Sequence, residues 1–227
     1  MLTGFLKLPQ HHAHGTALST VISTGISATF GYSSLGLINW SLIPAMTVSG
    51  MVTSAAGAKL ANRLNPLALK ASLGLFMMAI SPMIIFREQI VSSLTKRSEA
   101  EKSRGNRSQM RMALIGAGSG LLSGLFGIGG GIVTVPALLF MSDVSHKEAL
   151  GLSLASMVMP AISGGLVHLK QGNVVLRIAV PLSLGTCAGA YIGSKYVAPN
   201  VSTDHLKFGF AAFMAVVGFR YFKNSSS

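Results

Sequence analysis

The sequence predicts an all-α integral membrane protein made of two repeated helical halves with about seven transmembrane helices. Three observations carry that expectation. The 227 residues are 50% hydrophobic and only 11% charged, about half the charge of an ordinary soluble domain, and mean hydropathy is +0.57. The six carboxylates are Glu88, Glu99, Glu101, Asp143, Glu148 and Asp204, so residues 1–86 contain none. A soluble domain of that length would need far more polar surface. Finally, the apolar runs are long and continuous, and they recur at a fixed offset.

Crossing the hydrocarbon takes roughly 20 apolar residues in a helix. Such stretches run over 15–37, 39–61, 66–86, 112–141, 147–169, 174–198 and 204–221. Short polar connections at 62–65, 170–173 and 199–203 hold the turn-forming residues between them. The runs do not alternate polar with apolar, which argues against the strands of a membrane barrel.

Net charge is +12, yet the basic residues do not form a nucleic-acid surface. Seven of the 18 lie in one polar stretch, namely Arg87, Lys96, Arg97, Lys102, Arg104, Arg107 and Arg111. The others are scattered near the ends of apolar runs. That pattern is expected of anchors at a membrane surface, with the basic segment in the cytoplasm. The chain therefore divides into a first transmembrane repeat (1–86), a basic cytoplasmic linker (87–111) and a second transmembrane repeat (112–227). The single cysteine, Cys187, excludes an intrachain disulfide and a CxxC metal site. The first nine residues do not have the form of a signal peptide.

The halves align without gaps at an offset of 136 residues, with 13–59 lying over 149–195. Gly15 meets Gly151, Leu18 meets Leu154, Ile26 and Ser27 meet Ile162 and Ser163, Gly36 meets Gly172, and Lys59 meets Lys195. Ser49, Thr53 and Gly57 overlie Gly185, Gly189 and Gly193. A spacing of four places each trio on one helix face, where backbones can approach closely. Duplicated halves are the usual plan of secondary transporters, with the substrate between the repeats. The second half begins near Met112, so the first half has no partner for 112–136. This suggests a fragment, a misplaced start or a degenerate first repeat.

The segment 116–136 is the densest in glycine. Gly116, Gly120 and Gly124 form a small-residue face suited to close packing. Gly127, Gly129, Gly130 and Gly131 follow too closely for a comfortable helix, each costing about 1 kcal/mol against alanine. Pro136 also discourages helical geometry at Val135. A break near 127–131 would free N–H groups at membrane depth, where they must find partners. A half-helix N-terminus there can hold an anion through those groups and its dipole. The alternative is a glycine face that packs tightly and binds nothing. No GxxxxGK[ST] or clean GxGxxG motif occurs, so this is not a nucleotide loop.

The run Gly124-Leu-Phe-Gly-Ile-Gly-Gly-Gly-Ile-Val-Thr-Val-Pro-Ala-Leu-Leu139, followed by Ala149-Leu-Gly-Leu-Ser-Leu154, resembles the sulfite exporter TauE/SafE family of membrane proteins. In the first half, Ala13-His-Gly-Thr-Ala-Leu18 resembles the second of these elements. Leu152 stands where the family favours Thr, and Ala17 where it favours Ser. The resemblance implies a two-repeat membrane protein that moves sulfite, sulfonates or related organosulfur anions. Taken with the glycine break, the repeat and the hydroxyl-bearing residues, it makes Gly127, Gly129, Gly130, Gly131, Thr134 and Pro136, joined by Thr16 and Ser153, the candidate substrate site.

The remaining polar residues have plainer roles open to them. Apart from His205 at the start of the last stretch, His168 is the only histidine inside an apolar run, and histidine titrates near neutrality, so it is the candidate for proton coupling. Its place beside Lys170 also suits a structural role at the interface. His11, His12 and His14 have no Cys or carboxylate nearby, so they are expected in a solvated loop rather than at a metal. Thr16, Ser19, Ser153 and Ser156 can bond backbone carbonyls instead of a substrate. Lys59 and Lys195 can snorkel from helix ends.

The expected function is secondary transport of a small anion across the bilayer, at the plasma membrane, with no cofactor and no metal. The rival is a non-transporting scaffold, or a half-transporter that pairs with another chain as a homo-oligomer or otherwise. A membrane enzyme ranks last, because the apolar stretches hold no carboxylate beyond Glu148 and Asp204 at their starts, and no Cys–His pair.

Overall fold

The computed structural model describes residues 9–85, 105–127, 129–142 and 144–223, and all regular structure among them is helical. The helices are α1 (Gln10–Ser33), α2 (Ile43–Ala61), α3 (Pro66–Ile85), α4 (Gly105–Phe126), α5 (Gly131–Met141), α6 (His146–Lys170), α7 (Leu176–Ile192) and α8 (Thr203–Lys223). A π-helical turn, Gly193–Val197, carries α7 on into Ala198–Asn200. Six of the seven expected stretches correspond to one helix each, while 112–141 is divided between α4 and α5. Residues 105–111 of α4 lie inside the stretch read as a linker. Residues 87–104 of that stretch lie outside the described residues.

Local chemistry accounts for several helix ends. Pro9 precedes α1, and its carbonyl accepts the Ala13 N–H at 3.0 Å. Ser145 and Glu148 form a reciprocal capping box at the start of α6, with the Glu148 N–H on the Ser145 hydroxyl at 3.2 Å and the Ser145 N–H on the Glu148 carboxylate at 2.7 Å. Gly36 and Gly172 take left-handed conformations, with φ of 67° and 72°, after α1 and α6. Each allows the next residue to reach back across the helix end, Leu37 N–H to the Tyr32 carbonyl at 3.2 Å and Asn173 N–H to the His168 carbonyl at 2.9 Å. The two closures sit 136 residues apart, the offset read from the sequence.

The bundle is organised around α6, which packs on α1, α2 and α5, while α2 makes its broadest contact with α4. α3 pairs with α8, and α7 lies against α1. One apolar cluster joins Ala28, Tyr32, Met46, Ile115, Leu138 and Leu152, and another joins Leu69, Leu73, Met77, Phe126, Ala211 and Met214. Half of the apolar window of α6 is buried, against 6% for α7. By length and composition alone, α6 and the continuous run Leu176–Asn200 are apolar enough to cross a membrane. Large apolar side chains cover the outside of the bundle, among them Phe30, Val52, Leu184 and Val216, more than a water-facing surface normally carries.

The α2–α4 pair shows why glycine recurs every four residues. A Cβ at Gly116 would collide with the Met46 carbonyl, one at Gly120 with the Gly50 carbonyl, and one at Gly124 with the Ser54 carbonyl. From the other side, a Cβ at Gly57 would strike the Leu121 carbonyl. Backbone therefore rests on backbone, as small residues permit inside a bilayer. The matching stripe on α7 and the start of the π-helical turn, Gly185, Gly189 and Gly193, is different, since a Cβ there would meet nothing within 4 Å.

Candidate functional site

The helix does break within the glycine run. α4 ends at Phe126, and Gly127, Gly129 and Gly130 all have positive φ, at 64°, 73° and 48°. Residues with a Cβ rarely adopt that region, which explains why glycines are needed here. Gly130 is the N-cap of α5 and offers no side chain to cap it. Its carbonyl accepts the N–H of Val133 at 2.8 Å, the N–H of Thr134 at 2.9 Å and the Thr134 hydroxyl at 3.0 Å. Thr134 and Pro136 are both buried on this short helix. The result is a helix N-terminus inside the bundle that no side chain caps, where the Gly131 N–H bonds the Gly129 carbonyl and the positive end of the helix dipole faces the break.

Two helices enclose the break. A Cβ at Gly127 would run into the backbone of His14, and one at Gly129 would come within 2.5 Å of the Val21 side chain and 3.2 Å of the Met157 methyl. A Cβ at Gly131 would stand 3.5 Å from the Ser153 hydroxyl and 3.6 Å from the Met157 sulfur, in ordinary contact. Ser153 thus faces the start of α5, and its hydroxyl is 3.3 Å from the Met157 sulfur, a weak acceptor. Beside the break, Leu73, Phe76, Leu122, Phe126 and Ile132 line an apolar crevice that reaches Gly130.

Thr16 does not join this group through its hydroxyl. It is fully buried, and its oxygen accepts the Val175 N–H at 3.0 Å, which ties α1 to the entry of α7. Ser19 and Ser156 bond backbone carbonyls one turn back, at Thr16 and Ser153. That is the local bonding anticipated for hydroxyls in membrane helices.

The histidines depart from expectation. His11, His12 and His14 are in the first turn of α1, not in a solvated loop, and His14 is buried. The helix extends back over them because His14 shares a face with Leu18 and Val21, at the spacing that buries one side of a helix. His168 is fully buried within the bundle, with Nε2 3.1 Å from the Gly124 carbonyl. His14 hydrogen-bonds the backbone of Leu125. The two imidazoles thus reach neighbouring residues at the end of α4, a pairing that the sequence reading missed. Lys195 folds back to donate to the Tyr191 hydroxyl at 2.9 Å and lies over the Tyr191 and Tyr196 rings. Among the described residues, no three His, Cys, Asp or Glu side chains gather as a metal site would require.

Comparison with known proteins identifies the family. A profile of the sulfite exporter TauE/SafE family matches residues 1–221. The chain belongs to that family. It is similar to the probable membrane transporter protein YdhB of Bacillus subtilis, at 28% identity over 202 residues, covering 86% of this chain and 78% of the relative. A probable membrane transporter protein of Methanocaldococcus jannaschii is 26% identical over 216 residues, covering 91% of this chain and 77% of its own. A third, from Haemophilus influenzae, is 41% identical over 93 residues, or 35% of each chain. No solved structure matches. Membership in this family of membrane transporters makes the chain an integral membrane protein.

Proposed function

We propose that this chain is a secondary carrier for a small oxyanion, sulfite or an organosulfonate or related organosulfur anion, at the plasma membrane. The glycine break carries the reading. The uncapped N-terminus of α5 lies inside the bundle between α1 and α6, with no carboxylate in those helices' buried faces to repel an anion. In this reading Gly127, Gly129, Gly130 and Gly131 shape the backbone around the anion, and Thr134 and Pro136 hold the helix behind it. Ser153 lines the approach, whereas Thr16 acts by tying α1 to α7. His168 remains a candidate proton carrier. About seven transmembrane helices form two repeats, 1–86 and 112–227, joined by the basic cytoplasmic segment 87–111. The two helix closures after Gly36 and Gly172, at the offset of the sequence repeat, support the duplication.

The test is uptake or efflux of labelled sulfite by purified protein in liposomes, comparing wild type with Gly131→Ala. Gly131 is the one glycine of the four with ordinary φ and with room for a methyl group. The variant should fold as wild type does and bind the anion more weakly, raising KM. Absence of flux for every sulfur anion tried, in correctly folded wild-type protein, sinks the proposal.

The open stripe on α7 supports a second reading, a half-transporter or scaffold that needs another chain. Its counterpart on α2 is covered by α4, and Gly185, Gly189 and Gly193 are not covered. Cross-linking in membranes separates the two readings, because a strictly monomeric, active chain excludes the paired form.

A further inference from the structure

A helix that stops inside a bilayer leaves its last carbonyls without the N–H groups that the next turn would supply. Those carbonyls must be satisfied from elsewhere, since hydrocarbon offers no water. α4 stops at Phe126, inside the helical bundle, where Phe126 and Leu125 are buried. The Ser123 carbonyl still accepts the Gly127 N–H, at 2.8 Å. The following two positions are served by side chains from other helices. The Gly124 carbonyl lies 3.1 Å from His168 Nε2, on α6, and the Leu125 backbone is hydrogen-bonded by His14, on α1.

Resting on the transport reading above, we propose that His14 and His168 are positioning residues of the glycine break. Together they cap the end of α4 and fix where α5, with its anion-facing N-terminus, begins.

The geometry gives each histidine a defined task. A carbonyl only accepts, so His168 Nε2 carries the hydrogen and donates it to Gly124. The ring is wholly buried, and its other nitrogen, Nδ1, has no partner among the described residues. His168 is thus committed to this one bond. On another side, Gly124 has no Cβ, so α2 lies flush against it at the Ser54 carbonyl. His14 is held equally tightly, because its own backbone touches Gly127 with no space for a Cβ between them. The first turn of α1 is therefore packed directly against the break. The caps come from the first and last turns of two different helices, one in each half of the chain. A rotation of one half against the other would release one of them.

The experiment compares His14→Leu, His168→Leu and His168→Gln in the full-length purified protein. Gln retains an N–H donor on a side chain of similar reach, and Leu retains volume alone. The first readout is amide hydrogen exchange in detergent, without substrate, for peptides spanning 123–133. Both Leu variants should accelerate exchange there by about tenfold, the effect of losing one buried hydrogen bond, while peptides from α8 stay unchanged. His168→Gln should exchange like wild type. The second readout is sulfite flux, where KM should rise in the Leu variants and return towards wild type with Gln. Wild-type exchange in His168→Leu overturns the proposal, as does a Gln variant that behaves like Leu. If a Leu variant does not fold, His168→Gln still decides the matter, because it must retain wild-type protection over 123–133. Absence of sulfite flux in wild type would defeat the transport reading and leave the exchange result to judge the caps.

Discussion

His168 Nε2 lies 3.1 Å from the carbonyl oxygen of Gly124, joining the last turn of α6 to the last turn of α4 across 44 residues of sequence. Because the partner is a carbonyl, the imidazole serves as a hydrogen-bond donor. This bears on proton coupling. Carriers driven by protons commonly use intramembrane carboxylates, and none lies in any stretch read here as transmembrane apart from Glu148 and Asp204 in the first turns of α6 and α8. Sulfite and bisulfite interconvert near neutral pH, so the substrate can carry the proton itself. His168→Ala should therefore keep most of the pH dependence of sulfite flux. Loss of that dependence, with folding and membrane insertion intact, would make His168 a relay instead.

The two glycine stripes give opposite predictions for the same substitution. Gly120 faces Gly50 with no room for a methyl group, so Gly120→Ala should destabilise the bundle by about 1–3 kcal/mol, the usual cost of overpacking. Gly189 faces open space, so Gly189→Ala should be neutral or stabilising by up to about 1 kcal/mol through helix propensity. Thermal unfolding in detergent measures both. If Gly189→Ala in membranes proves as harmful as Gly120→Ala, the α7 stripe is covered by another helix, and the paired form gains.

Gly36 and Gly172 isolate backbone strain from crowding. Both have positive φ, and a Cβ at either would meet nothing within 4 Å. Alanine at each should cost about 1–2 kcal/mol from the left-handed conformation alone. Asn should cost less, because its side chain tolerates that region. Equal losses at the two sites, read from unfolding midpoints, would fit their matched geometry. A loss at only one of them would separate the two turns energetically.

Much of this structure was legible in the sequence, and the reasons can be traced to particular residues. Continuous apolar runs fixed the helices to within a few residues, and glycine density at 127–131 fixed the break. Three features were hidden. Residues 10–14 join α1 because His14 extends the Leu18 and Val21 face, whereas composition alone suggested a polar loop. The burial of His168 follows from its place opposite Gly124, a relation between distant segments that one helix's periodicity cannot express. Thr16 and Ser153 look equivalent in sequence. The Val175 N–H occupies Thr16, while Ser153 faces the break, and only the packing of α1 on α7 separates their roles.

Gly130 offers the sharpest functional substitution. Gly130→Leu should abolish flux, because the side chain would occupy the turn from which α5 presents its N–H groups. The structure also shows that this variant carries a structural cost. Gly130 has φ of 48°, and a Cβ would come within 2.9 Å of the Ser119 carbonyl, so about 1–2 kcal/mol of backbone strain accompanies the loss of space. Gly131→Ala serves as the control for that cost. Gly131 has ordinary φ, and its Cβ would be in normal contact with Ser153 and Met157, so a methyl group fits there. If the break holds the anion, both variants weaken flux, and Gly131→Ala does so with a near-normal unfolding temperature. If only Gly130→Leu fails, and its unfolding temperature falls with it, the defect is one of folding. An active, correctly folded Gly130→Leu protein would remove the glycine break from the transport mechanism.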